Sequence, residues 1–482
     1  MRVEDQKPRD LTDWKERLVG IEYENPVVDL EGNPVSLSAM QNVWKNLGAM
    51  GWKPKFDSIV NLYAGAEKQY KGGTINLISD NGAGNFEIAL PPLSDIHEAQ
   101  RLLAEVHKDV VEALRKESLF YLGIGIQPGR PGEPIEDYRV KNTLFTGFSK
   151  NMEQAGGPNA IRFGNSLFYG LAAHQTGVSL RLPEVLPTIN EFIKTIGLIT
   201  ALCGNSSIQN WEVLPWKEWR IPAYPFRFIA TEKIGFEKTT VPRKTPFTSL
   251  ADFLKYYWDV PFMVLPPLRN GSFVIPEKPM TYPEYFTKKE MEGRDIFGNP
   301  TKLIPTVADI NFGMMCLWVW GKPHISIDPE KATVEDFVKH FNSDTLEEYL
   351  ENKLVNCYVE ARGAPTSPKG EEMAIPALHL GTANNLTELQ EFTKQFTWKE
   401  WWELPYHAAA LGLEAKIKDI SVRSLSSEFV LIAERGLKKR ALGEEKYLAP
   451  FWERIKTGKN PADRMNELFK KGKEEFLKGV TY

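Results

Sequence analysis

Two glutamates one residue apart, Glu22 and Glu24, sit in the stretch Gly20-Ile21-Glu22-Tyr23-Glu24. Side chains alternate across a strand with period 2. On a strand both carboxylates share one face, and Ile21 and Tyr23 take the other. A second stretch, Asp80-Asn81-Gly82-Ala83-Gly84-Asn85-Phe86-Glu87-Ile88, carries two more acids around a glycine turn. A third, Tyr358-Val359-Glu360-Ala361-Arg362-Gly363, puts an acid and an arginine on one face. Acids facing a core are costly unless paired or metal-bound. Carboxylates converging on one cavity suit Mg²⁺, which takes oxygen ligands and keeps waters and substrate phosphates in its shell. An arginine among them suits a carboxylate or a phosphate. Glu-x-Glu alone is most often a solvated face; the third stretch turns the reading toward a site. Arg362 also has a plainer reading, a buried ion pair with Glu360.

Strands must carry all three stretches. The pattern predicts a strand over 18–24 and a helix over 37–47, ended by Gly48 and Gly51. Strands over 59–63 and 74–78 flank Gly72-Gly73 as a hairpin. Asp95 is the expected N-cap of a helix running to about Lys116, with Glu98 three residues on as in a capping box. A strand is expected over 120–126 and another over 177–182, followed by a helix over 187–202. Residues 210–310 are rich in Pro and aromatic residues and lack helical period. They read as loops and short elements over the sheet, the kind of segment that covers active sites. Helices are expected over 333–352 and 387–396, and a run of them over 424–478 with a junction at Gly458 and Pro461. No repeat or low-complexity linker divides the chain. Residues 1–482 read as one unit, with 210–310 as a loop-rich cover and 424–482 as a helical C-terminal part.

The chain has 482 residues and a formal net charge of -4. No basic excess argues for nucleic acid or an acidic membrane. Cys203, Cys316 and Cys357 are far apart and form no CxxC pair, which fits a reducing cytoplasm. The apolar runs at 196–203 and 314–320 fall short of the roughly 18 residues a membrane span needs. The N-terminus is charged. The expectation is a soluble cytoplasmic protein, with neither nucleic acid nor membrane as partner. Familiar motifs fail: after Gly123-Ile124-Gly125, Pro128 occupies the third glycine's place of a dinucleotide fingerprint. His97-Glu98-Ala99-Gln100-Arg101 lacks the second histidine of a zinc protease, and neither a P-loop nor a G-x-S-x-G elbow occurs. Gly82-Ala83-Gly84 is either a plain hairpin turn or a backbone that approaches a phosphate.

Taken together, the motifs resemble the glutamate–cysteine ligases, in particular the plant and proteobacterial branch of carboxylate–amine ligases. Gly20-Ile21-Glu22-Tyr23-Glu24 is similar to that family's first acidic motif. Asn85-Phe86-Glu87-Ile88-Ala89, with Pro91-Pro92-Leu93, resembles its second. Leu122-Gly123-Ile124-Gly125-Ile126-Gln127-Pro128 and Glu360-Ala361-Arg362-Gly363-Ala364 resemble two later ones, and the 447–462 region its terminal helices. The resemblance implies an α+β fold like that of glutamine synthetase, with a curved antiparallel sheet forming a funnel and helices packed outside. It implies ATP, Mg²⁺ and a γ-glutamyl phosphate intermediate, in the first step of glutathione biosynthesis. By the same token Glu22, Glu24, Asp80, Glu87 and Glu360 would hold metal. Arg362 would act with Glu360 on the phosphoryl group or the glutamate, and Arg220 would hold a substrate carboxylate. The partners implied are small molecules, glutamate and cysteine or another amine, with the chain a monomer or homodimer. Three departures stand out: Gly177-Val178-Ser179 replaces a Gln-Val-Asn strand, the turn 80–85 is altered, and Pro365 replaces an Asp. They leave open a different amine acceptor, or a catalytically silent relative.

Overall fold

The strand that carries Glu22 and Glu24 lies in the middle of a nine-stranded sheet. The computed structural model describes residues 16–482 apart from 81, 133, 157–169, 227–237, 239, 263–272, 316 and 318. The strands are β1 (Val19–Val28), β2 (Lys53–Asp57), β3 (Leu62–Tyr70), β4 (Gly73–Ser79), β5 (Asn85–Ala89), β6 (Phe120–Tyr121), β7 (His174–Ser179), β8 (Gly321–Ile327) and β9 (Leu354–Ala361). Their order is β8-β9-β7-β1-β5-β4-β3-β2, with β6 paired to β1. Every pairing is antiparallel. Among the described residues β2 and β8 end the order without pairing to each other, so the sheet is open.

One face of this sheet is core. Ile21, Tyr23, Phe86, Ile88, Val178, Val359 and Ala361 are buried there. The helices that bury this core are α1 (Leu37–Ala49), α2 (Ile96–Arg115), α3 (Leu182–Cys203), α4 (Ala374–Asn384), α5 (Trp398–Leu411) and α6 (Val422–Lys438). Helix α1 packs on β2 and β3, and its Trp44 stacks on Phe86 at 5.1 Å. Helix α3 packs on β8 and β9, and α4 on β7. The α4–α6 crossing is close: a Cβ on Gly436 would lie 1.9 Å from the Gly381 carbonyl oxygen.

The expected α+β class, the helix over 37–47, the hairpin at Gly72-Gly73 and the C-terminal helices with their junction at Gly458 are all present. Differences have local causes. Residues 58–61 form a turn with Asn61 at positive φ, so the strand expected over 59–63 starts only at Leu62. Beyond Phe120–Tyr121 the segment makes only isolated bridges, Leu122 to Thr481 and Ile126 to Leu171. Helix α3 begins at Leu182, with Pro183 in its first turn, where a missing N–H costs nothing. Asp95 caps α2 through the His97 amide, but Glu98 turns away to accept from Tyr70 and Lys71. Helix α4 was not legible because every residue in it is buried and no polar face marks its period.

Helix α3 corrects a reading based on apolar runs. Its 22 residues are long and apolar enough to cross a membrane by composition, yet 78% of that window is buried inside the fold. Cys203 and Cys357 are free and buried, and burial pushes both thiols up to about 12. Cys316 lies outside the described residues.

Candidate active site

Register across β1 decides which acids meet. Glu22 stands opposite Ala89 of β5 and Gln175 of β7, and Glu24 stands opposite Glu87. Further along, Gly177 of β7 faces Glu360 of β9, which faces Lys322 of β8. Directly opposed residues of an antiparallel pair share a face. Glu22, Glu24, Glu87, Gln175, Glu360 and Lys322 therefore all rise from the face opposite the core.

Three carboxylates draw together at one end. One oxygen each from Glu24, Asp80 and Glu87 lies within 4.8 Å of the other two. Glu24 is oriented by neutral donors: Gln175 Nε2 at 2.6 Å, the Ala173 amide at 2.9 Å and Asn85 Nδ2 at 3.3 Å. Asp80 is held by the β4–β5 turn, where its amide donates to the Asn85 carbonyl at 2.9 Å. Burial, then the charges of Glu22, Asp80 and Glu24, push the Glu87 carboxyl well above its usual range. Glu22, half-buried beside them, is pushed up to about 7 by burial first and by Glu360 second. Packed carboxylates that repel one another are a fit for a divalent cation, and an all-oxygen donor set suits Mg²⁺.

The other end is a mixed cluster. Glu360 Oε2 accepts from Lys322 Nζ at 2.8 Å and meets His324 Nε2 at 2.6 Å, and its Oε1 accepts from Arg362. Burial alone would raise Glu360, but Arg362, Lys322 and His324 outweigh it and hold the carboxyl well below its usual range. His324 stacks on Tyr358 at 4.3 Å, and burial followed by the Lys322 charge lowers it to about 4. Arg362 thus does form the ion pair with Glu360, within a larger group. Glu360 stands outside the three-carboxylate set and is bonded to nitrogen donors.

Lys322 and His324 escaped the sequence reading. Their signal was present: Gly321-Lys322-Pro323-His324-Ile325 alternates polar and apolar residues as Glu22 and Glu24 do. Arg220, in the helix Arg220–Phe226, is buried, with Nη1 3.7 Å from buried Glu218. It is not among the groups that chiefly set Glu22, Glu87 or Glu360. The Gly82-Ala83-Gly84 turn is buried, and its amides are engaged inside the protein: Gly82 donates to Asp80, Ala83 to Tyr138 and Asn85 to Gly82. Those three amides serve the fold as a hairpin turn does.

Residues 18–252 match the model of glutamate–cysteine ligase family 2. The chloroplastic glutamate–cysteine ligase of Medicago truncatula is 28% identical over 431 residues, which cover 86% of this chain and 70% of the plant enzyme. The Nicotiana tabacum enzyme is 27% identical over 263 residues, 48% of this chain and 49% of its own length. Among solved structures, a glutamate–cysteine ligase of Francisella tularensis in complex with AMP superposes with a TM-score of 0.52 at 12% identity. That match covers 96% of this chain and 86% of the other. At that identity the likeness speaks for the fold alone.

Proposed function

We propose that this chain, whose residues 18–252 match the model of glutamate–cysteine ligase family 2, is the ATP-dependent ligase that joins the γ-carboxylate of glutamate to the amine of cysteine. One observation carries the reading most: a three-carboxylate set and an arginine–lysine cluster rise from one face of one sheet. Such a reaction proceeds in two balanced steps. The glutamate γ-carboxylate oxygen attacks the γ-phosphorus of ATP, giving γ-glutamyl phosphate and ADP. The amine nitrogen then attacks the acyl carbon; phosphate leaves with the electron pair, and the amine gives up a proton. The first step needs charge neutralised at the moving phosphoryl group. Glu24, Asp80 and Glu87 would hold Mg²⁺, with Glu22 beside them; bound there, the ion would neutralise phosphate oxygens.

Side chains of this chain do the rest. Arg362 presents a planar fork to the moving phosphoryl group or the glutamate carboxylate. Glu360 fixes that fork, and Lys322 adds a buried positive charge to the same cluster. Such preorganised charge stabilises both the tetrahedral oxyanion and the departing phosphate. Arg220 stays the candidate for a substrate carboxylate on its place in the Trp219-Arg220-Ile221-Pro222 stretch, while the structure sets it 3.7 Å from buried Glu218. No side-chain nucleophile is required. We read the enzyme as cytoplasmic and acting on small molecules, as a monomer or homodimer; the two buried thiols pushed up to about 12 are in keeping with a reducing compartment.

Phosphate release with ATP, Mg²⁺ and glutamate, with each candidate amine added in turn, tests this. Cysteine-dependent release is expected, with γ-glutamylcysteine as product. Release only with another amine, or none with any, overturns the cysteine reading. The relatives named above are all glutamate–cysteine ligases, so neither alternative gains support from them.

A further inference from the structure

Opposed residues of an antiparallel pair alternate between pairs that exchange two backbone bonds and pairs that exchange none. Between β1 and β7 the Ser179 amide donates to the Leu18 carbonyl at 3.0 Å, so Leu18, Gly20, Glu22 and Glu24 fall in the bonded phase. The last β1–β7 pair is Tyr23 with His174, and one more step brings Glu24 opposite Ala173. These two make half of the expected exchange. The Glu24 amide donates to the Ala173 carbonyl at 3.0 Å. The return bond is redirected: the Ala173 amide donates to the Glu24 side chain, at 2.9 Å from Oε2.

That diversion takes from the Glu24 carbonyl its partner in the ladder, and a buried carbonyl left unpaired is costly. Thr366 supplies the replacement. Its Oγ1 donates to the Glu24 carbonyl oxygen at 2.5 Å. Thr366 is fully buried and is fixed by its own backbone. Its amide donates to the Ala172 carbonyl at 3.3 Å, and its carbonyl accepts from Asn205 Nδ2 at 2.9 Å. The residues beside it are tied to the same two strands. Pro365 bridges to Ala173, the Ser367 carbonyl accepts from the Tyr23 hydroxyl at 2.6 Å, and Ser367 Oγ meets His174 Nδ1 at 2.9 Å. This segment leaves β9 just after Arg362 and begins at Pro365, one of the departures from the family motif.

Resting on the reading of Glu24, Asp80 and Glu87 as cation ligands, we infer that Thr366 is a positioning residue for that site. Its hydroxyl takes over the Glu24 carbonyl and so releases the Ala173 amide to hold the Glu24 carboxylate. Ala173, Gln175 and Asn85 then keep that carboxylate turned toward Asp80 and Glu87. Thr366 itself stays behind the strand and acts only through Glu24. Groups that orient a ligand from behind are worth about ten- to a hundredfold in metal affinity.

Thr366→Val keeps the shape of the side chain and removes the donor. The Ala173 amide is then drawn back to the Glu24 carbonyl, and the carboxylate loses a bond. Mn²⁺, which shares the preference of Mg²⁺ for oxygen ligands in octahedral array, is the probe. Its binding to the nucleotide-free protein is measured by calorimetry. Thr366→Val is expected to weaken Mn²⁺ about tenfold or more, while Thr366→Ser, which keeps the hydroxyl, stays within about threefold of wild type. A loss of under about threefold in Thr366→Val, or an equal loss in Thr366→Ser, overturns the inference. Should Thr366→Val not fold, Thr366→Ala carries the same expectation. If neither folds while Thr366→Ser does, the hydroxyl serves folding alone and the inference falls. A wild type that binds no Mn²⁺ overturns it together with the cation assignment. The expected Mn²⁺ pattern in a protein that turns over no amine counts against the ligase reading alone.

Discussion

Glu87 is a carboxylate placed where a carboxylate is least comfortable. It is buried, faces Glu22, Glu24 and Asp80, and is pushed well above its usual range by burial and those charges. Such strain is kept when it serves function. Glu87→Gln should remove a cation ligand and with it several kcal/mol of transition-state stabilisation. Turnover at saturating Mg²⁺ should fall at least about a hundredfold, while the metal-free variant melts at or above the wild-type temperature. A variant that stays active, or that melts well below wild type, refutes the assignment. Arg362 separates differently. Arg362→Lys keeps the charge but loses the planar fork. It should lower kcat/KM roughly a hundredfold, the scale of about 2–3 kcal/mol for a charged hydrogen bond, with little change in melting temperature. An unchanged kcat/KM sinks the role, and a melting temperature that drops while activity per molecule holds would make the Glu360 pair purely structural.

Elements hold this face by packing on the other. Helix α3 sits under β8 and β9, the strands that carry Lys322, His324 and Glu360. Helices α4 and α6 cross where Gly381 meets Ala433 and Gly436 meets Gly381. A Cβ on Gly436 would lie 1.9 Å from a backbone carbonyl oxygen, and a backbone cannot step aside as a flexible side chain does. Gly436→Ala should therefore cost about 1–3 kcal/mol by overpacking, read as a lower melting temperature. Helix α4 packs on the core face of the sheet and the carboxylates rise from the other, so activity per folded molecule should persist. A variant as stable as wild type would mean the two helices can separate freely.

For the molecule as a whole, buried neutral histidines link stability to pH. His379 is buried in α4 against Phe192, and burial lowers it to about 4 from 6.5. The folded protein therefore holds it neutral while the unfolded chain protonates it. Its contribution is fully present above about pH 6.5 and is lost as pH falls from there through about 4. Between those limits it steepens the loss of stability by up to about 1.4 kcal/mol per pH unit. His107 and His174, each lowered to about 3 chiefly by burial, act in the same direction. Raised acids such as Glu22 act in the opposite one, so the clean measurement is a difference. Denaturant unfolding of wild type and His379→Gln from pH 7 to pH 4.5 should show a shallower slope in the variant. Parallel curves would show that the imidazole does not titrate on unfolding.

Much of the sheet was legible because local pattern carries it. Glu22 and Glu24 alternate with Ile21 and Tyr23, and a strand with one buried face has a single way to present them. Asp95 announced α2 by its capping chemistry, and Gly72-Gly73 announced the hairpin. Local pattern could not say which strands become neighbours. The grouping of Glu24 with Asp80 and Glu87, apart from Glu360, follows from β1 pairing with β5 on one side and β7 on the other, contacts made across more than a hundred residues for β7. Lys322 and His324 carried the same alternation but had no acid beside them in sequence; Glu360 reaches them only through the β8–β9 pairing. Residue spacing along the chain therefore determined which face each side chain takes. Strand order, set by how the apolar faces bury against α3 and α4, decided which charges meet.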